Sequence, residues 1–231
     1  MRTSMVMSVT MLAMTAGTAL ALAIQPGGDK ADDSAARGQS FNNVKRIGLA
    51  MHEFHDAYMH LPLHAMYSND GKTPLLSWRV TILPFLGEKA LFNEFRHDEP
   101  WDSEHNKKLI AKMPKIYEPV GLGKKEEGRT YYQVFTGPDT LFDGNKQMRL
   151  TDITDGTSNT LLAIEGKEPV IWTKPADLKL PNVKDKERLT PVGGIFKNGT
   201  NAAMCDGSVY MLARTLDGPQ LRSLVTPRGN D

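Results

Sequence analysis

The chain has 231 residues, 40% of them hydrophobic, with 28 basic and 27 acidic side chains and a single cysteine. A formal net charge of +1 excludes a global attraction for nucleic acid or anionic lipid, and one cysteine excludes an intramolecular disulfide. A chain of this length can bury one good core, so one domain is the simplest count.

The first elements read as an export signal. Arg2 precedes an uncharged, largely apolar run from Met5 to Ala23, and Ala21-Leu22-Ala23 closes it with small residues around a larger one. Basic start, apolar middle and A-x-A-like end are the layout of a secretory signal peptide over residues 1–23, with cleavage expected between Ala23 and Ile24. The rival is an uncleaved anchor, since a span needs about 20 apolar residues. Ser8, Thr10, Thr15, Gly17 and Thr18 dilute the run. Cleavage would remove Arg2, balance the remaining charges and leave no membrane span. Residues 24–37 are rich in Gly, Asp, Ala and Ser and are expected to form a flexible leader. Residues 38–231 are expected to form a single α+β domain.

From Phe41 the periodicity changes. Phe41, Val44, Ile47, Met51, Phe54 and Tyr58 recur every three or four residues, which predicts an amphipathic helix from about Ser34 to Tyr58. Gly48 in its middle costs about 1 kcal/mol relative to Ala unless something packs closely there. Leu75 to Leu83, between Pro74 and Pro84, fits either a strand or a buried helical turn. Glu88–Phe95 has helical spacing, and Asp102-Ser103 offers a cap for a short helix over Asn106–Met113 that Pro114 stops.

Beyond Pro114 the chain turns β-like. Thr130–Phe135, Thr160–Glu165 and Val170–Trp172 are strand candidates, and the charged stretch 174–190 reads as a surface loop. Asp206-Gly207 between two apolar-rich runs predicts a two-residue hairpin turn with both residues at positive φ. The expected architecture is α+β: an amino-terminal helix packed on a mainly antiparallel sheet.

Few residues suggest reaction chemistry. Four of the six histidines, His52, His55, His60 and His64, crowd into one segment. His52 and His55 would share a helix face, but His52-Glu53-Phe54-His55 is one residue short of the zincin spacing. Hydrogen-bonding or surface histidines are the favoured reading. Asp152–Asn159 gathers oxygen ligands around Gly156, yet lacks the alternate positions and terminal Glu of an EF-hand loop. A turn held by Asp and Ser side chains is the expectation. No Gly-x-Ser-x-Gly elbow, phosphate loop, dinucleotide fingerprint or Cys-x-x-Cys pair occurs. Asp98-Glu99 and Glu126-Glu127 are expected at the solvated surface. Cys205 is expected to be a small buried hydrophobe. Trp78, Trp101 and Trp172 are expected as core anchors, with a solute cleft as the alternative. No catalytic, cofactor-binding or metal-ligating residue is assigned, and the protein is expected not to be an enzyme.

Several blocks together resemble a known family. Asn42-Asn43-Val44-Lys45-Arg46-Ile47-Gly48-Leu49-Ala50-Met51-His52 is similar to the opening block of a large bacterial family of unknown function. Ser77–Val80, Asp98–Ser103, Asp152–Thr160, Trp172–Pro175 and Asp206–Val209 are similar to its later blocks, in one order from about Ser40 to Thr226. That family is also filed as extracellular solute-binding protein family ten. The resemblance implies a pseudopilin-like, pilin-like fold in which a long helix precedes a small antiparallel sheet. It also implies a carboxy-terminal signature of His, nine residues and Asp-Gly. The chain departs from it twice, having no prepilin cleavage motif and placing Phe196 where the signature His belongs. The implied function is an exported, non-enzymatic structural or interaction module of the cell envelope. Its partners would be envelope proteins, or, in the alternative, a small extracellular solute.

Overall fold

A computed structural model describes residues 31–122, 127–180, 192–193, 195–197, 199–213 and 216–229, with side chains described from residue 34 onward. The expected signal peptide and the first part of the expected leader therefore lie outside the described residues. No helix among them is long and apolar enough to cross a membrane.

Helix α1 runs Ala31–Tyr58. It starts before Ser34, so residues 31–37 are helical where a flexible leader was expected. Ala35 and Ala36 have the highest helix propensity, and the first turns extend a helix already anchored downstream. Val44, Ile47, Ala50, Met51 and Phe54 are buried, as the spacing predicts. Phe41 is half-buried and Tyr58 is exposed.

Two short antiparallel strands follow, β1 (Ala65–Tyr67) and β2 (Pro74–Ser77). The ambiguous run 75–83 is resolved as both alternatives in succession. Ser77 ends β2 and caps helix α2 (Trp78–Thr81), its hydroxyl accepting from the Arg79 amide. After a 3-10 turn at Leu83–Leu86 comes α3 (Lys89–Glu94). The predicted short helix near residue 106 is a 3-10 segment, Asn106–Lys112, whose N-cap is His105 without a side-chain bond; the Ser103 hydroxyl accepts from the Asn106 amide in the turn before it. The fully buried Asn106 side chain donates to the carbonyls of Arg96, Glu99 and Pro100, which holds this loop shut.

The main sheet has four antiparallel strands: β3 (Arg129–Gln133), β5 (Leu161–Ile171), β7 (Gly199–Met204) and β8 (Val209–Ala213), in the spatial order β3-β5-β7-β8. The two strand candidates 160–165 and 170–172 are one continuous strand. Between them in sequence order lie β4 (Phe135–Thr136) and β6 (Leu178–Lys179), which pair in parallel beside the sheet. Helix α4 (Gly218–Val225) closes the chain, capped by Asp217 and Gln220 reciprocally.

Alternation along β7 divides the core. Ala203 and Cys205 face α1, joining Val44, Ile47, Met51, Trp78, Tyr117 and Trp172. Ala202 and Met204 point the other way, with Ile164 and Leu212 against Leu221, Leu224 and Val225 of α4. The sheet is thus a middle layer between two helices. Gly48 sits where α1 crosses β7: a Cβ there would stand 3.3 Å from that of Ala203. That close approach answers why a glycine interrupts the helix.

The β7–β8 hairpin differs from the expected form. Gly207 has φ 84°, whereas Asp206 is not at positive φ. The Gly207 amide donates to Met204 O (3.1 Å) and the Met204 amide to Ser208 O (2.9 Å), so the loop is Cys205-Asp206-Gly207. A three-residue loop needs the left-handed conformation only at its last position. The Asp206 carboxylate stays local, accepting from the Ser208 amide at 2.8 Å.

Candidate functional site

The largest perturbations of ionisable groups lie inside the core. Arg79 and Asp177 form an ion pair at 2.6 Å with both side chains fully buried. The same Asp177 oxygen accepts from Trp78 Nε1 (3.1 Å) and the Val134 amide (3.1 Å). Arg79 also donates to Tyr132 O (2.8 Å) and Ser77 Oγ (2.7 Å), and its guanidinium lies 4.6 Å from the Trp78 ring centre. Burial pushes the Asp177 carboxyl up, opposed by the Arg79 charge. This corrects the surface-loop expectation for 174–190 at its most charged contact, because a buried guanidinium requires a buried anion. Residues 181–190 of that stretch lie outside the described residues.

A second buried acid, Glu165, faces α1. Its carboxylate accepts from Ser40 Oγ and, at 2.8 Å, from the Asn201 amide. Ser40 Oγ is also 3.1 Å from the Tyr132 hydroxyl, which accepts from Asn43 Nδ2 at 3.2 Å. Burial raises Glu165 above the usual carboxylate range and pushes Tyr132 up to about 12. Both centres are closed by α1, β3, β5, β7 and the 172–178 segment. They are buried joints of the fold.

His52 lies within electrostatic range of His55 and Asp206, while the other histidines singled out by sequence bond separate partners. His60 Nδ1 bonds the Leu61 carbonyl, His64 Nδ1 is 3.1 Å from the Tyr67 hydroxyl, and His55 Nε2 accepts from the Leu150 amide. Burial lowers His52 and His64, as for neutral imidazoles. No group of three or more His, Cys, Asp and Glu that could hold a metal ion occurs among the described residues. Trp78 and Trp172 are fully buried, and Trp101 is half-buried against the same core with Lys174 Nζ 5.2 Å from its ring centre. Cys205 is buried and its thiol is pushed well up by burial. Phe196 is buried too, and a Cβ on Gly121 would lie 3.2 Å from its ring and 3.3 Å from Ala36. Phe196 thus packs by the first turns of α1, where an imidazole would be desolvated.

Asp152–Asn159 is a turn with a task. Asp152 accepts from the Arg149 amide and guanidinium, and its carbonyl accepts from Arg228 Nε at 2.8 Å. Thr154 and Asp155 amides donate to Pro227 O, and the Gly229 amide donates to an Asp155 carboxylate oxygen at 2.5 Å. The acidic turn therefore straps the carboxy-terminal segment in place.

That segment forms one wall of a cavity of about 340 Å3. The opposite wall is the loop after β4, where Asp139 adopts a left-handed φ of 64° and Thr140 Oγ1 donates to Gly137 O at 2.8 Å. Leu141 and Met148 supply apolar surface, while Asp139, Asp143, Lys146, Arg222 and Arg228 ring it with charge. Lys146 and Asp143 are already joined at 2.5 Å. Arg222 stands 4.0 Å from Asp139, and Arg228 stands 3.9 Å from Asp152. The size is at the lower end for small-molecule sites, and the mixture of apolar surface with few charged groups is typical of them. Sequence reasoning missed all five charged residues. They come from two segments some eighty residues apart, and no local spacing links them.

Residues 33–116 match the model of a family described as a protein of unknown function (DUF1559), whose label, SBP_bac_10, reads as a bacterial solute-binding family. No curated protein and no solved structure gives a match.

Proposed function

We propose that this protein is an exported, non-enzymatic binding module that holds a small solute in the cavity between the 137–148 loop and the carboxy-terminal segment. The observation that carries the reading is the cavity itself: apolar surface at Leu141 and Met148 beneath a ring of five charged side chains. The solute-binding label of the family matched by residues 33–116 supports it. The non-enzymatic part is supported by where the perturbed groups lie: Glu165, Asp177 and Tyr117 are buried in the core and are not among the residues that line this cavity, whereas active sites place such groups in a cleft. Export rests on the leader-like run Met5–Ala23.

Thermal unfolding in the presence of a small-solute library tests the reading, because a ligand that binds only the folded state raises the midpoint. At least one solute is expected to raise it, and Met148→Trp, which fills the cavity, is expected to abolish that rise. Chemical conversion of the bound solute would refute the non-enzymatic part. Mass spectrometry of the mature amino terminus from cells is expected to show a start at Ile24; retention of Met5–Ala23 would refute cleavage.

A second reading, a pilin-like docking module, is favoured by one observation. Leu49, Tyr58 and Met59 are the exposed large hydrophobic residues among those described, and all lie on or directly after α1. Concentration-dependent association that Tyr58→Ser with Met59→Ser removes would support it over solute binding alone.

A further inference from the structure

We infer that His55 is an acid-sensitive latch on the wall of this cavity: neutral, it holds the 148–152 segment to α1, and protonated, it lets that segment go. This regulation takes its purpose from the solute-binding reading and rests on it.

The 148–152 segment is tied to the molecule at several points. Met148 lines the cavity, and its carbonyl accepts from the Leu61 amide at 2.7 Å. Two residues on, the Leu150 amide donates to His55 Nε2 at 3.4 Å, which joins the segment to α1. The Asp152 carbonyl then accepts from Arg228 Nε at 2.8 Å, and Arg228 Nη2 lies 4.0 Å from Met148 Sδ. Arg228 belongs to the opposite wall. His55 therefore stands behind a segment that carries one wall and is bonded to the other.

The direction of the His55 bond makes it sensitive to a proton. A ring nitrogen accepts an N–H only through a free lone pair, so Nε2 is unprotonated and the ring proton sits on Nδ1. Nδ1 is buried without a hydrogen-bond partner among the described residues, and Asp56 Oδ1 is 3.7 Å away. A second proton has only Nε2 to go to, where it would meet the Leu150 N–H, donor against donor. The bond is then lost. Histidine is the side chain that takes up such a proton between about pH 5 and 8.

The surrounding groups leave that role to His55. His52, one turn earlier on α1, faces His55, Asp56 and Asp206 of the last hairpin, and burial lowers it. Arg149 and Asp152 flank Leu150 and are matched to each other at 3.0 Å. Hydrogen bonds from Arg149 hold the Asp152 carboxyl below the usual carboxylate range, so the strap keeps its charge while histidines titrate. His64 supplies the contrast. Its Nδ1 reaches the Gly144 carbonyl of the 137–148 loop at 3.3 Å, and a carbonyl can only accept, so that bond survives protonation.

The test reads the full chain without solute, by amide hydrogen exchange at Leu150 and by the methyl resonance of isotope-labelled Met148, between about pH 7.5 and about pH 5. On acidification Leu150 is expected to lose protection about three- to tenfold after correction for intrinsic exchange, the range one net hydrogen bond accounts for. The Met148 methyl is expected to shift with the same midpoint. His55→Gln puts an amide oxygen where Nε2 stood, accepts from Leu150 at every pH and is expected to abolish both changes. His55→Leu has no acceptor and is expected to leave Leu150 poorly protected throughout, with protection in β5 as the folding control. His52→Gln and His64→Gln are expected to keep the wild-type response. Leu150 protection that does not change in wild type would overturn the latch. So would a change that His55→Gln retains, or one that His52→Gln or His64→Gln removes. Because no solute enters, such a failure leaves the cavity reading standing. A solute screen without a binder would instead end the regulatory role while the pH response of Leu150 stood.

Discussion

Asp177→Asn keeps the shape of the side chain and removes only its charge, leaving the Arg79 guanidinium buried without an anion. Breaking such a pair from one side costs about 3–5 kcal/mol, so the urea midpoint is expected to fall sharply with an unchanged denaturant slope. Replacing both partners by apolar residues is expected to recover much of the loss, because the desolvation penalty disappears with the charges. Glu99→Gln, which removes the half-exposed partner of Arg96, is expected to leave the midpoint where it was. At this scale the sequence carried little: Arg79 stands inside an apolar run bounded by prolines, and its burial beside a counter-charge is a finding of the structure. Which carboxylate supplies it was not legible, since Asp177 stands 98 residues away inside a polar stretch. The same holds for Glu165 and Ser40, and for the arginines at the cavity.

Helix α1 was legible in type and in most of its buried face, because a repeat every three to four residues has one physical solution. Its start was not, since a helix anchored downstream extends into any sequence that does not forbid it. Gly48 is where element and tertiary structure meet. Gly48→Ala gains helix propensity but tightens a 3.3 Å contact with Ala203, so stability is expected to move by less than about 1 kcal/mol. Gly48→Leu has no room against β7 and is expected to cost about 1–3 kcal/mol by chemical denaturation. A Gly48→Leu variant as stable as the parent would show that α1 does not cross the sheet there. The hairpin gives the complementary lesson: Asp-Gly located the turn correctly, yet the number of loop residues was decided by the Met204–Ser208 pairing and the Asp206–Ser208 bond.

The whole molecule is one sheet serving two cores. Strands β5 and β7 contribute to both the α1 side and the α4 side, so neither core can open while the other stays closed. Leu221→Ala in α4 is expected to cost about 2–5 kcal/mol. Although the three tryptophans lie in or against the other core, their fluorescence midpoint is expected to fall together with the far-ultraviolet signal. A tryptophan midpoint that did not move would mean two independent units. By itself the sequence determined the elements whose signals are local: the apolar leader-like run, the α1 stripe and the place of the last hairpin. Only the tertiary structure decided that Asp177 is buried and that Asp152–Asp155 straps a carboxy-terminal segment against the 137–148 loop. The reason is physical: periodicity and capping act within a few residues. Burial and charge pairing belong to whatever the folded chain brings together.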